Sequence, residues 1–175
     1  MSLERIEELR LSPDNEVEIA ALLALCFDTD FGGRTAFRQR HHVRYLWREG
    51  GQLAGHVALT FRHVRQGTKV IPVTGLAEVA THPDHRGQGI ARRLLDVAVD
   101  DSRASVAQFV ILLGTAPLYA GMGFQPARNM IRYVDMTDAQ THGVEREMAR
   151  ELMVLPIAGR PWDSVTMVDL LGHLF

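Results

Sequence analysis

The residues of this chain most open to a chemical reading stand together at Arg86-Gly87-Gln88-Gly89-Ile90-Ala91, between a predicted strand and a predicted helix. Gly87 and Gly89 permit a tight turn and let the backbone approach a ligand with no Cβ in the way. The helix start that follows offers unpaired N–H groups and a positive dipole end, which together favour a phosphate or pyrophosphate. Gly-x-Gly alone is a weak signal, since many strand–helix turns contain glycine with no ligand. Three other readings fall away. A P-loop needs Gly-Lys-Ser/Thr, which is absent; a dinucleotide site wants a small residue where Arg92 stands and an early βαβ unit; and the nucleophile elbow Gly-x-Ser-x-Gly does not occur.

The other chemistry-bearing residues read more plainly. Cys26 is the lone cysteine and lies in the apolar run Ala20 to Phe27, where a small buried hydrophobe is expected. His82 and His85 flank Pro83-Asp84 within reach of anything bound at the turn. Arg92 and Arg93 either approach a phosphate or form a solvated helix face. His41-His42 would point to opposite faces of a strand, and no His/Cys grouping has zinc spacing, so no metal is expected.

The elements that must position these residues follow from hydrophobic period and turn signals. Arg5 to Leu11 reads as a strand ending at the helix-start signal Ser12-Pro13-Asp14, and Val17, Ala20, Ala21, Ala24 and Leu25 recur at helical spacing. Strands are expected over His42 to Trp47, Leu53 to Val64 and Val70 to Thr81, joined at Gly50-Gly51 and Gly67 as an antiparallel meander. Ile90, Ala91, Leu94, Leu95 and Ala98 then share one helical face, with Arg92, Arg93, Asp96 and Asp100 outside. Phe109 to Leu113 reads as a buried strand, Thr115 to Ala120 as a short helix capped by Thr115, 135 to 148 as loop, and Glu151 to Ile157 as the last strand.

Composition bounds the partners. The 19 basic and 21 acidic residues nearly cancel, at a net charge of -2, which argues against a nucleic-acid binder. No apolar run approaches the ~20 residues that cross a bilayer, and the charged opening Met1 to Arg5 does not resemble a secretory signal, so a cytoplasmic protein without membrane contact is expected. The 175 residues suit one α/β domain, 1–175, with a mixed sheet. Of the 19 basic residues only Lys69 is a lysine.

Read together, the turn and its surroundings resemble the GNAT superfamily of acyl-CoA-dependent N-acetyltransferases. Arg86, Gly89 and Ala91 match the family's Gln/Arg-x-x-Gly-x-Gly/Ala, and Leu118-Tyr119-Ala120-Gly121-Met122-Gly123-Phe124 is like its Leu-Tyr-x-x-x-Gly-Phe. The resemblance implies a mixed, mainly antiparallel central sheet flanked by helices. It also implies acetyl-CoA as co-substrate, with its pyrophosphate on the amides of Arg86, Gly87, Gln88, Gly89, Ile90 and Ala91 and its pantetheine arm along Val79, Ala80 and Thr81 like an added strand. An amine then attacks the thioester directly. Tyr119 would protonate the leaving thiolate, a task that suits a phenol protonated at neutral pH. Glu78, on the strand approaching the turn, would act as base through water, unless strand alternation turns it away into an ion pair or the surface. The family's usual asparagine ahead of the short helix is replaced by Gly114-Thr115-Ala116-Pro117.

A finer resemblance links Cys26 to Phe31, Val154 to Ile157, Met167-Val168-Asp169 and the aromatic end Phe175 to the aminoglycoside 2′-N-acetyltransferases, with a weaker echo of the nodulation acyltransferases. It implies a small-molecule amine as acceptor, an amino sugar among the candidates, held by Asp30, Asp169 and the carboxylate of Phe175. Negative groups would draw in a cationic amine. The apolar final segment is one that a homodimer interface would use. The reading from another class is an acyl-CoA-binding sensor or a catalytically idle interaction protein of the same fold.

Overall fold

Ser12 starts the first helix: its Oγ accepts from Asn15 N at 3.2 Å, while Asn15 Oδ1 accepts from Ser12 N at 3.4 Å. The fold is that of a computed structural model, which describes residues 1–29 and 31–174, Asp138 by its backbone alone. The chain forms two compact units, residues 1–60 with 77–100 and residues 61–76 with 101–175.

The first unit holds β1 (Ser2–Glu7), α1 (Pro13–Cys26), β2 (Val43–Glu49), the start of β3 (Gln52–Gln66), the end of β4 (Lys69–Thr81) and most of α2 (Ile90–Arg103). β1 and β2, and β2 and β3, pair antiparallel. Gly50 and Gly51, at φ 54° and 90°, make the β2–β3 reversal. α1 forms where the period places it, but its inward face is Ile19, Leu22 and Leu23, packed on Leu46, Leu53 and Ala80, while Val17, Ala21, Ala24 and Leu25 are exposed. The helix is apolar nearly all round, so spacing alone does not select a face. α2 keeps the expected face, with Ile90, Leu94, Leu95 and Ala98 buried. A Cβ on Gly55 of β3 would stand 2.4 Å from Ile90 Cγ2 and 3.0 Å from Leu94 Cδ1, so only glycine lets α2 settle this close to the strand.

The second unit holds the rest of β3 and β4 with β5 (Phe109–Leu113), α3 (Pro117–Ala120), β6 (Gln125–Pro126), β7 (Met130–Asp135), β8 (Gly143–Met148), β9 (Leu152–Pro156) and β10 (Val168–His173). Its strands run in the order β6-β9-β5-β4-β3-β10-β7-β8. The β4–β5 and β7–β10 pairs are parallel, whereas β5–β9, β6–β9, β7–β8 and β3–β10 are antiparallel. Buried Asn129 ties the chain before β10 in place, donating to Asp163 O and Thr166 O and accepting from Trp162 Nε1 at 2.9 Å. The result is the expected mixed, mainly antiparallel sheet with three helices.

Three local expectations are corrected. α3 is capped at Ala116 with no side-chain hydrogen bond, so Thr115 is not its cap. Residues 143–148 form β8, whose exposed, charged sequence hides a strand held by pairing to β7 alone. β9 is not the last strand: β10 follows and lies between β3 and β7, a pairing between segments about 40 and 100 residues apart that local pattern does not specify. No described helix is long and apolar enough to cross a membrane.

Candidate functional site

The turn ahead of α2 has the geometry its glycines imply. Gly87 and Gly89 adopt φ 77° and 76°, and a Cβ on either would meet nothing within 4 Å, so their faces open onto free space. The first α-helical bond runs from Arg93 N to Gly89 O at 3.1 Å, which leaves the amides of Ile90 and Ala91 without an intrahelical partner. His82 Nδ1 accepts from Asp84 N and orders the approach. The Arg92 side chain turns to Asp96 at 3.0 Å, and Arg93 lies over the Trp47 ring at 5.2 Å. Cys26 Sγ donates to Thr81 O at 3.4 Å, and burial pushes its thiol up, so this half-buried cysteine is a poor nucleophile.

Glu78 sits in β4 at φ 52°, a conformation a non-glycine residue rarely adopts. This kink breaks the strand's alternation and sends the side chain into a buried network within the first unit, where it is 8% exposed. Oε2 accepts from Arg44 Nη1 at 3.0 Å, and Oε1 accepts from the amide of Phe37 at 3.1 Å. His41 Nε2 lies 3.1 Å from Oε1, in ion-pair range though poorly aligned as a hydrogen bond, and its Nδ1 is 2.8 Å from Thr60 Oγ1. Burial alone would push the Glu78 carboxyl up. His41 beside it and the Arg44 guanidinium outweigh burial and hold it below the ordinary carboxylate range. The Glu78 side chain is thus ion-paired with Arg44 in the folded chain.

Arg44 is the hub. It is fully buried, donates from Nε and Nη2 to both oxygens of Glu8 at 2.7 and 3.1 Å, and from Nη1 to Thr35 O at 2.8 Å. His56, equally buried, meets Arg44 Nη1 through Nε2 at 3.2 Å and Glu78 O through Nδ1 at 2.8 Å. Burial, then the Arg44 charge, pushes the His56 imidazole down to about 4. Arg44, His56 and Glu8 are not among the residues the motifs single out. Their signal is a charged or polar side chain inside apolar strand sequence, at Val43-Arg44-Tyr45 and Gly55-His56-Val57.

In the second unit Tyr119 is 9% exposed, its ring edge-on to Phe124 at 6.1 Å and held by Gly114, whose Cβ, if present, would stand 3.0 Å from Tyr119 Cε2. Among the described residues no protein group takes its hydroxyl, and burial pushes its pKa up, so it stays protonated at neutral pH. The parallel ladder of β4 with β5 ends at Leu76 and Leu112, ahead of Val79, Ala80 and Thr81. Asp169 is engaged: Oδ2 accepts from Arg132 at 2.8 Å and Oδ1 from Leu171 N at 2.9 Å. Asp30 and Phe175 lie outside the described residues. Among the described residues no group of three His, Cys, Asp or Glu side chains is arranged to hold a metal.

Residues 9–127 match the family model of the acetyltransferase (GNAT) domain. An uncharacterised N-acetyltransferase of Escherichia coli, YjhQ, is 33% identical over 88 residues, 50% of this chain and 48% of that protein, so the match spans about half of the curated relative. Among solved structures, the GNAT family N-acetyltransferase YhbS of Escherichia coli, in complex with CoA, aligns at TM-score 0.65 and 20% identity over 97% of this chain and 88% of its own. A GNAT family acetyltransferase of Brucella melitensis, in complex with acetyl-CoA, aligns at TM-score 0.60 and 18% identity over 95% and 94%.

Proposed function

The chain belongs to the GNAT acetyltransferase family, and we propose that it is an acetyl-CoA-dependent N-acetyltransferase whose acceptor is the primary amine of a small molecule, with residues 1–175 working as one acetyltransferase domain. The observation that carries this reading is the turn Arg86 to Ala91, with positive φ at Gly87 and Gly89 and open space where their Cβ atoms would be. The two solved structures of similar fold hold CoA and acetyl-CoA, and this turn suits a pyrophosphate, since its amides and the helix dipole favour negative charge.

In this reading the amides from Gly87 to Ala91 receive the pyrophosphate, and the main chain of Val79 to Thr81, beyond the β5 ladder, pairs with the pantetheine arm. Acetyl-CoA supplies an activated acyl group, so no covalent enzyme intermediate is needed. Tyr119 donates its phenolic proton to the departing sulfur, a role supported by its protonated hydroxyl, which has no partner among the described residues. Glu78 stays ionised through neutral pH and takes the amine proton through water. Its low basicity makes that the weaker of the two roles. Of the acidic contacts to a cationic acceptor, Asp169 is already neutralised by Arg132, which leaves Asp30 and the Phe175 carboxylate.

An amine panel of amino sugars, polyamines and peptide N-termini, with free thiol release as readout, tests the proposal. Thiol release that requires one amine class supports it and names the acceptor. Tight acetyl-CoA binding by calorimetry with no thiol release on any amine would instead favour an acyl-CoA sensor.

A further inference from the structure

Glu78 stands at positive φ inside a strand, a strained conformation for a side-chain-bearing residue that persists only where its surroundings over-determine it. The surroundings here are unusually explicit. The carbonyl oxygen of Glu78 can only accept, so the proton of the ring sits on Nδ1, which donates to it at 2.8 Å. Nε2 is left bare, facing Arg44 Nη1 at 3.2 Å, a group that has no lone pair to offer. A single neutral imidazole, fully buried in the second half of a β2–β3 hairpin, thus grips the main chain of Glu78. The arginine that faces Nε2 grips the Glu78 carboxylate at 3.0 Å. Backbone and side chain of one residue are tied to one pair of neighbours.

We propose that His56 is a positioning residue for the acetyl-transfer site: through its Nδ1–H it holds the kink of β4 at Glu78 and so sets the direction of the Glu78 carboxylate and of the Val79 main chain that follows. The consequence for transfer rests on the acetyltransferase reading; the grip on the backbone does not. His56 itself touches neither donor nor acceptor. The charged and titratable groups that face it are Arg44 from β2, Glu78 from β4, and His41 from the segment before β2.

Asparagine places an amide nitrogen near the position of imidazole Nδ1, whereas leucine fills the space without a donor. His56→Asn should keep kcat within about threefold of the parent, while His56→Leu should lose about tenfold to a hundredfold in kcat with a smaller rise, about threefold, in the KM for acetyl-CoA through the Val79 main chain. A folded His56→Leu protein with parental kcat, or an Asn variant as impaired as the Leu variant, overturns the proposal. Nitrogen NMR of histidine-labelled parent protein gives a second arm that needs neither activity nor the Leu variant. His56 should show a protonated Nδ1, a bare Nε2 and no titration from pH 8 to about 5, and the backbone amide shifts of Glu78 and Val79 should be retained in His56→Asn. An Nε2–H tautomer, or shifts at Glu78 and Val79 displaced in the Asn variant, overturns it. A parent protein that releases no thiol with any amine would sink the acetyltransferase reading while the NMR arm still decides the positioning.

Discussion

Arg44 and Glu78 form an ion pair at 3.0 Å in which the arginine is fully buried and the carboxylate nearly so. Removing one partner of such a pair leaves an uncompensated charge, which costs roughly 3–5 kcal/mol. Arg44→Met is therefore expected to destabilise the protein by that amount, because Glu78 and Glu8 both lose the buried guanidinium between them. Arg44→Lys should recover little of it, since one ammonium cannot reproduce a bidentate grip on Glu8 together with bonds to Glu78 and Thr35 O. Urea unfolding curves of the two variants check both statements, and a Lys variant as stable as the parent would contradict them.

His56 gives the protein an acid-sensitive window. Its folded-state pKa of about 4 lies below the ordinary 6.5, so the unfolded chain binds the extra proton first as pH falls. The stabilisation is whole above pH 6.5 and is lost on descending toward pH 4, a change of roughly 3 kcal/mol for this group. Glu78, also depressed, adds loss of the same sign below the usual carboxylate range. Chemical unfolding at pH 7, 5.5 and 4.5 should show declining stability in the parent and a flatter dependence in His56→Asn; parallel curves would remove His56 as the source.

Tyr119→Phe should fold as the parent does, since no described protein group bonds the hydroxyl. Its kcat should fall by about 10²-fold or more, with acetyl-CoA affinity nearly unchanged, as expected on losing a general acid. Unchanged turnover would take Tyr119 out of the chemistry.

Gly114→Ala tests the same tyrosine without touching it. The new Cβ would press on Tyr119 Cε2 from 3.0 Å, so the ring must shift by a few tenths of an ångström. A drop in kcat with intact acetyl-CoA binding is the expected outcome, and single-turnover kinetics beside calorimetry separate the two effects.

At the cradle, Gly89→Ala carries a different penalty. The site is open, so nothing clashes within the protein, but φ 76° strains any L side chain by about 1 kcal/mol and the methyl occupies the space a phosphate would fill. Acetyl-CoA Kd should rise by tenfold or more by calorimetry while thermal stability falls only slightly; unaltered affinity would place the pyrophosphate elsewhere.

What the sequence determined by itself is what short-range chemistry determines. The β2–β3 reversal at Gly50-Gly51, the cap at Ser12, the apolar face of α2 and the two-glycine turn before it are all written in residues a few positions apart, where φ preference and period act directly. The tyrosine was legible for the same reason, as part of a contiguous motif. α1 was legible as a helix but not in its facing, because an almost uniformly apolar helix has no preferred side until something packs on it.

The rest was decided by tertiary structure. Glu78 stands one residue before Val79 in the sequence, yet its surroundings come from Phe37 and His41 ahead of β2, Arg44 of β2 and His56 of β3, far from it along the chain. Strand period predicts where a side chain points only while the pleat continues, and the positive φ at Glu78 interrupts it. A buried charge network has no local signature beyond a polar residue in an apolar strand; which carboxylate that residue will meet depends on pairing across tens of residues. The sequence thus named a cradle and an acid, and only the folded chain, by burying Arg44 against Glu78, decided what kind of carboxylate Glu78 is.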